Sequence, residues 1–232
     1  MKKYRNLIFI GLVAISMVLL SPTGVTMIEN ALVANEHTKQ VIVIDPGHGG
    51  SDPGKVGINT ALEKDINLSI SFKLKTYLEE KGYEVVLTRT DDNGLYSLED
   101  NNKKRADMKK RVSIINETNP VMAISVHQNS FSQASSKGAQ VFYHVKSEEG
   151  KKLAECIQEQ MKLIINDGNK RVAKSNDTYY MLKNTSCPTV IVECGFLSNP
   201  TEADLLLDDA YQGKVATGIV EGINAYLANQ NK

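Results

Sequence analysis

Histidine is rare in this chain, and two of its four histidines stand where a chemical site is expected. His48 and His127 each follow a short β-branched run that predicts a strand, and Glu193 ends a third such run. Ligands of open α/β sheets bind outside the carboxyl ends of the strands, so we expect these three side chains to meet at one edge. Glu63 precedes the apolar periodicity of the first predicted helix and can face the same cleft.

Two histidines and one glutamate, with a fourth position open for water, form a known catalytic zinc set. Zinc would lower the pKa of that water to about 7, and a carboxylate outside the metal's ligands could take its proton. This chemistry predicts one zinc ion held by His48, Glu63 and His127, with Glu193 as the base. Position alone leaves another interpretation open, in which the histidines are structural and Glu63 is a first-turn charge. A buried carboxylate within an apolar run, as at Glu193, is harder to explain without a function.

Three arginines are predicted to lie on elements near the site. Arg89 follows the second predicted strand, where it can hold an anionic group of a substrate or fix a loop. Arg105 and Arg111 lie on the next predicted helix, and helical arginines are usually solvated.

The elements that must position these residues alternate along the chain. Apolar or β-branched runs predict five strands, at 41–45, 84–88, 121–126, 139–145 and 189–193. Helical spacing of apolar residues predicts four helices, at 66–78, 103–117, 153–164 and 215–227. Strands that are mostly continuous in apolar character and mostly followed by helices predict a single α/β domain: a mostly parallel, twisted sheet with helices on both faces. The stretches 90–102, 129–138 and 167–187 are predicted loops.

Composition narrows the class of function and the compartment. The 27 basic and 27 acidic residues balance, which argues against a nucleic-acid partner, and three cysteines make no disulfide framework. Basic residues precede an apolar run at 7–20 that is shorter than the roughly 20 residues of a membrane span. We therefore predict an N-terminal signal peptide or membrane anchor with its linker over 1–37, and a catalytic domain over 38–232.

Five ordered motifs resemble the zinc-dependent N-acetylmuramoyl-L-alanine amidases of the Amidase_3 family. They cover nearly the whole predicted domain, and they are Val43-Ile44-Asp45-Pro46-Gly47-His48-Gly49-Gly50, Glu63, Thr88-Arg89-Thr90, Ser125-Val126-His127-Gln128-Asn129 and Val192-Glu193-Cys194-Gly195-Phe196-Leu197-Ser198-Asn199-Pro200. The resemblance implies hydrolysis of the amide between the lactyl group of N-acetylmuramic acid and L-Ala of the peptidoglycan stem peptide. It implies His48, Glu63 and His127 as zinc ligands, Glu193 as the catalytic carboxylate and Asn129 as a substrate contact.

The short exported architecture is similar to the sporulation subgroup of this family, the CwlD type. That similarity implies action on spore cortex peptidoglycan on the way to muramic-δ-lactam, in the cell wall or the forespore intermembrane space. Because no wall-binding repeat is visible, we also expect an activating or localising protein partner or anchoring through residues 7–20. Two alternatives are a zinc-dependent wall peptidase of carboxypeptidase type and a non-catalytic peptidoglycan-binding module. An intact Glu193 argues against the second alternative.

Overall fold

The computed structural model describes Ser21, Val25 and residues 40–230. The chain divides between Lys39 and Gln40, and the unit described below begins at Gln40. Apart from Ser21 and Val25, the predicted N-terminal segment 1–37 lies outside the described residues. Among the residues that are described, no helix is both long and apolar enough to cross a membrane.

In the part of the chain that the structure describes, six strands form one sheet in the order β2-β1-β3-β6-β4-β5. Their bounds are β1 Val41–Pro46, β2 Glu84–Leu87, β3 Met122–Asn129, β4 Gln140–His144, β5 Lys174–Asn176 and β6 Thr189–Phe196. Strands β2, β1, β3 and β6 run parallel, which confirms the mostly parallel sheet of a single α/β domain.

Strand β4 departs from the parallel order, because it pairs antiparallel with β6 and parallel with β5. A parallel neighbour needs a crossover of a dozen or more residues, usually a helix. The segment between β3 and β4 contains no helix, so the chain turns back at the carboxyl edge and β4 runs the other way.

Within residues 40–230, six helices accompany the sheet: α1 Glu63–Glu80, α2 Lys103–Thr118, α3 Glu148–Ile165, α4 Tyr180–Asn184, α5 Pro200–Leu205 and α6 Asp209–Gln230. Local chemistry sets several of the ends. The side chains of Asn102 and Ser147 accept hydrogen bonds from backbone N–H groups at the start of α2 and α3. Asn119 and Asn166 end the same helices in the left-handed conformation that asparagine tolerates.

Alternation along the strands divides the core between the two faces of the sheet. The larger core packs Ile42, Ile44 and Ile124 against α1, α3 and α6. On the other face, Val43 and Ala123 pack with Ile115 of α2 and Met181 of α4. Both faces therefore carry helices, as the apolar strands predicted.

Three short elements were not predicted from the sequence. Strand β5 is a polar, largely exposed edge strand, so it has no apolar pattern to reveal it. Helices α4 and α5 span one or two turns each, too short for a helical period to stand out. Both β5 and α4 lie within the predicted loop 167–187.

Candidate metal centre and catalytic cleft

The carboxyl ends of β1, β3 and β6 meet at one edge of the sheet and present one set of side chains to the face of α2 and α4. His127 of β3 stands directly opposite Glu193 of β6, and Asp45 of β1 stands opposite Ser125. Residues two apart share a face, so these four side chains project to the same side. The parallel pairing thus brings His127 and Glu193 together from positions 66 residues apart in the sequence.

His48, Glu63 and His127 converge into a cluster that could hold a metal ion, with candidate ligand atoms all within 4.8 Å of one another. Glu63 Oε1 lies 3.3 Å from His48 Nε2 and 3.0 Å from His127 Nδ1. Glu63 opens α1 and is only 3% exposed, whereas the histidines are 19% and 23% exposed. The histidines therefore face the cleft and the glutamate lies beneath them.

Neighbouring groups orient the side chains of the cluster so that the lone pairs of their candidate ligand atoms point towards one another. His48 Nδ1 lies 2.9 Å from a carboxylate oxygen of Asp52, which favours the tautomer that leaves the Nε2 lone pair towards Glu63. The backbone N–H groups of Lys55 and Gln128 donate to the two oxygens of Glu63, at 2.8 and 3.0 Å. Acceptor atoms this close repel one another unless a proton or a cation lies between them, so the donor set fits a bound cation.

Electrostatics also favours positive charge at this point. Burial would raise the pKa of Glu63, but hydrogen bonds with His127 and His48 hold it well below its usual range. Burial would lower the pKa of His127, but its hydrogen bond with Glu63 raises it. Both directions mean that Glu63 stays ionised and that its charge favours a positive charge on the ring of His127.

Two glycines make the close packing around the cluster possible. A Cβ at Gly47 would lie 2.3 Å from ring atoms of His127, where no side chain fits. Gly54 has a φ of +70°, and a Cβ there would lie 2.6 Å from Glu63 Oε2. The loop after β1 can approach the cluster only because both positions lack a side chain.

Glu193 lies beside the cluster, and one of its carboxylate oxygens lacks a hydrogen bond within the described residues. Its Oε2 atom is buried and has no hydrogen-bond partner among the described residues. Burial raises the pKa of Glu193 to about 7, with His127 opposing the rise and Glu63 adding to it. A carboxyl group poised near neutral pH can both accept and release a proton.

Arg111 is buried and supports the site, so the prediction that it is solvated was wrong. It is 1% exposed and donates to Asp45, to Asp107 and to the backbone carbonyls of Pro46 and His48. His48 has a φ of +63°, which is uncommon for a residue with a side chain, so the bond to its carbonyl helps hold that conformation. Helical position alone gave no signal of this role. The signal that could have found it is the buried aspartate at the end of an apolar strand, which needs a cationic partner.

The two residues predicted as substrate contacts lie in different settings. Arg89 is 3% exposed, and its guanidinium donates to the backbone carbonyls of Pro46, Gly47, Lys64 and Asp91. These bonds favour the loop-fixing alternative for Arg89 over contact with an anionic group. Asn129 ends β3 and lines the cleft, where its side chain also accepts a bond from the Ser130 backbone.

The cleft around the cluster consists of two adjoining cavities. The apolar cavity, of about 280 Å³, runs between α2 and α4 past Met108, Met181 and Ile191. The polar cavity, of about 340 Å³, is bordered by Lys55 and by Gln128, Asn129 and Ser130. His48, His127 and Glu193 line both cavities, and Glu63 lines the polar one, so a bond held beside them would have one half of its substrate in each cavity.

Known proteins are similar to this chain in sequence and in fold. Residues 42–225 match the model of the Amidase_3 family, N-acetylmuramoyl-L-alanine amidase. A germination-specific N-acetylmuramoyl-L-alanine amidase of Bacillus subtilis is 38% identical over 198 residues, 82% of this chain and 81% of the relative. The CwlD amidase of Clostridioides difficile, solved in complex with the GerS lipoprotein, is 42% identical with a TM-score of 0.80, covering 82% of this chain and 99% of that one. The catalytic domain of CwlV from Bacillus (Paenibacillus) polymyxa is 31% identical with a TM-score of 0.71, covering 82% and 98%.

The fold and the site define an α/β protein whose cleft can hold a metal ion beside a carboxylate with an unpaired oxygen among the described residues, and the similar proteins are hydrolases. The chain belongs to the N-acetylmuramoyl-L-alanine amidase family, and the predicted family is thereby confirmed. It is an amidase that acts on peptidoglycan.

Proposed function

We propose that this amidase is zinc-dependent and cleaves the bond between the lactyl group of N-acetylmuramic acid and L-Ala in spore cortex peptidoglycan. The observation that carries the proposal is the convergence of His48, Glu63 and His127 next to Glu193, whose Oε2 has no hydrogen-bond partner among the described residues. Two imidazoles and one carboxylate are a donor set that suits zinc and leaves a coordination position open.

In this proposal His48, Glu63 and His127 would hold the ion. When bound, zinc would supply a Lewis acid that polarises the scissile carbonyl and acidifies the attacking water. Asp52 fixes the ring of His48, and the backbone N–H groups of Lys55 and Gln128 fix the carboxylate of Glu63.

Glu193 moves the proton. The Glu193 carboxylate takes a proton from water as the water oxygen bonds to the lactyl carbon. It then gives the proton to the nitrogen of L-Ala as the carbon–nitrogen bond breaks. Its place at the junction of the two cavities puts it within the region where both atoms would lie.

The role in the spore cortex, on the way to muramic-δ-lactam, is supported by the relatives. The germination-specific amidase of Bacillus subtilis and the CwlD amidase of Clostridioides difficile are among the similar proteins, at 38% and 42% identity. Action outside the cytoplasm follows from a wall substrate, with residues 1–37 as the proposed export signal or anchor. We also propose a protein partner that activates or localises the enzyme, which the GerS complex of the CwlD amidase supports.

A digest of purified peptidoglycan tests the proposal. The domain over 38–232, loaded with zinc, is incubated with cortex and with vegetative peptidoglycan beside Glu193→Gln and a chelated control. Mass spectrometry should find intact stem peptides with a free N-terminal Ala only for the zinc-loaded wild type. The Glu193→Gln variant should keep its zinc and fold but lose about 10²–10⁴-fold in turnover, the usual cost of removing a general base.

Other outcomes would contradict separate parts of the proposal. Shortened stems in place of free Ala would indicate a carboxypeptidase. Equal release from both kinds of wall would contradict cortex specificity. Full activity and correct localisation of the anchor-free domain by itself would contradict the need for a partner.

A further inference from the structure

Six side chains of the described region line both cavities and so surround the point where the scissile bond would lie. They are His48, Asp52, Lys104, His127, Tyr179 and Glu193. The proposed function uses the two histidines, the aspartate that orients one of them, and the glutamate. Lys104 and Tyr179 remain without a role, and both carry groups that donate hydrogen bonds.

Tyr179 is the better fixed of the two. It precedes α4, its backbone N–H donates to Asn176 Oδ1 at 2.8 Å, and its ring meets the edge of Phe142 with centroids 5.6 Å apart. The ring also packs against the small cluster of Phe142, Leu182 and Ile191. Lys104 is an exposed lysine in the first turn of α2, and its long side chain has far more rotational freedom.

The surroundings keep the Tyr179 hydroxyl protonated. Burial raises the pKa of Tyr179, and the negative charge of Glu193 raises it further. At neutral pH the phenol is therefore a neutral donor, on a side chain that lines both cavities as Glu193 does. Amide hydrolysis is accelerated by a fixed hydrogen-bond donor near the carbonyl oxygen, where negative charge develops.

We propose that Tyr179 is a catalytic residue, whose hydroxyl donates a hydrogen bond to the lactyl carbonyl oxygen as that oxygen becomes negatively charged. This inference rests on the proposed function. The water oxygen bonds to the lactyl carbon, the proton of the water passes to Glu193, and the carbonyl oxygen takes the charge. Tyr179 keeps its proton throughout. The carbonyl re-forms as the bond to nitrogen breaks, and Glu193 returns the proton to the departing amine.

The test is Tyr179→Phe, which removes the hydroxyl and keeps the ring on Phe142. We expect kcat to fall about 10²-fold, the lower end for loss of one such donor, with KM, zinc content and thermal stability unchanged. Tyr143→Phe is the matched control, since Tyr143 is a half-buried tyrosine that packs into the main core on the other face of the sheet. Its kcat should equal that of the wild type.

Lys104→Met tests the competing donor. If Lys104→Met loses kcat and Tyr179→Phe does not, the inference is overturned. It is overturned as well if Tyr179→Phe raises KM alone, because the hydroxyl would then serve substrate binding only.

A binding measurement separates this inference from the proposed function. The probe is a muramyl-peptide analogue in which a phosphinate replaces the scissile amide and imitates the tetrahedral state. In calorimetry, Tyr179→Phe should bind this analogue about 10²-fold more weakly than the wild type does. Binding of the intact muropeptide is measured in the Glu193→Gln background, which does not cleave it at a significant rate. There, adding Tyr179→Phe should leave the affinity unchanged. A wild type that releases no N-terminal Ala contradicts the proposed function, and the phosphinate affinities still decide the role of the hydroxyl: equal affinities overturn it.

Discussion

The guanidinium of Arg111 connects three parts of the site without lying at its centre. It donates to the buried carboxylate of Asp45, to the carbonyl of His48 and to Asp107. Burial would raise the pKa of Asp45, but the charge of Arg111 and three hydrogen bonds hold it below its usual range. The pair is 1% exposed on both sides, so each charge depends on the other to offset its loss of hydration.

Removing Arg111 should therefore cost more than removing an ordinary surface arginine. We expect Arg111→Met to lower the free energy of unfolding by about 3–5 kcal/mol, since it leaves Asp45 charged and unpaired. Arg105 lies exposed on the same helix, and Arg105→Met should change stability by no more than about 0.5 kcal/mol. Urea denaturation of both variants provides the measurement. Equal losses would contradict the buried-pair interpretation.

At the scale of elements, the long helices α3 and α6 pack closely because glycines lie between them. A Cβ at Gly222 of α6 would lie 2.4 Å from the Cα of Ile157 in α3. A Cβ at Gly213, in the same helix, would meet only the Tyr77 hydroxyl at 3.4 Å. The two glycines lie in the same helix, but only Gly213 has room for a Cβ atom.

This difference predicts opposite effects of the same substitution. Gly222→Ala should destabilise the fold by about 1–3 kcal/mol, because the backbone of α3 has to move. Gly213→Ala should stabilise it by about 0.5–1 kcal/mol, since alanine loses less freedom than glycine when a helix forms. Thermal unfolding of the two variants, each against wild type, measures both signs. A stabilised Gly222→Ala variant would contradict the close helix contact.

At the scale of the whole molecule, the metal cluster joins elements that are distant along the chain. His48 follows β1, Glu63 opens α1 and His127 lies in β3, so the cluster forms only when the sheet and α1 have assembled. A cation that binds this folded arrangement stabilises the entire domain by linkage.

Zinc should therefore raise the melting temperature of the wild type. At a free zinc concentration about 100 times the dissociation constant, zinc raises the free energy of unfolding by about 2.7 kcal/mol. For a domain of this size, that raises the melting temperature by roughly 5–10 °C. His127→Ala should melt at a temperature that is independent of zinc, and chelation should return the wild type to its metal-free value. Calorimetric scans with and without zinc measure the shift. A zinc-dependent shift that persists in His127→Ala would contradict the proposed ligand set.

Much of the fold was predictable because it depends on local patterns. Apolar runs revealed β1, β3 and β6, and polar residues at the ends of such runs revealed His127 and Glu193 as neighbours. The direction of β4 was not predictable in this way, because it depends on how the chain turns between β3 and β4. The polar edge strand β5 left no apolar pattern at all.

The sequence by itself determined the α/β class, the family and the four side chains expected at the carboxyl edge, because apolar runs, the polar residues next to them and ordered motifs can all be read along the chain. Only the tertiary structure decided the contacts of Arg111 and Arg89 and the position of Tyr179. A helical arginine, an arginine after a strand and a tyrosine in a predicted loop look ordinary in sequence. Their partners lie in other elements: Asp45 and His48 for Arg111, backbone carbonyls for Arg89, and the junction of the two cavities for Tyr179. Burial and contact across elements are properties of the assembled fold, and no local pattern encodes them.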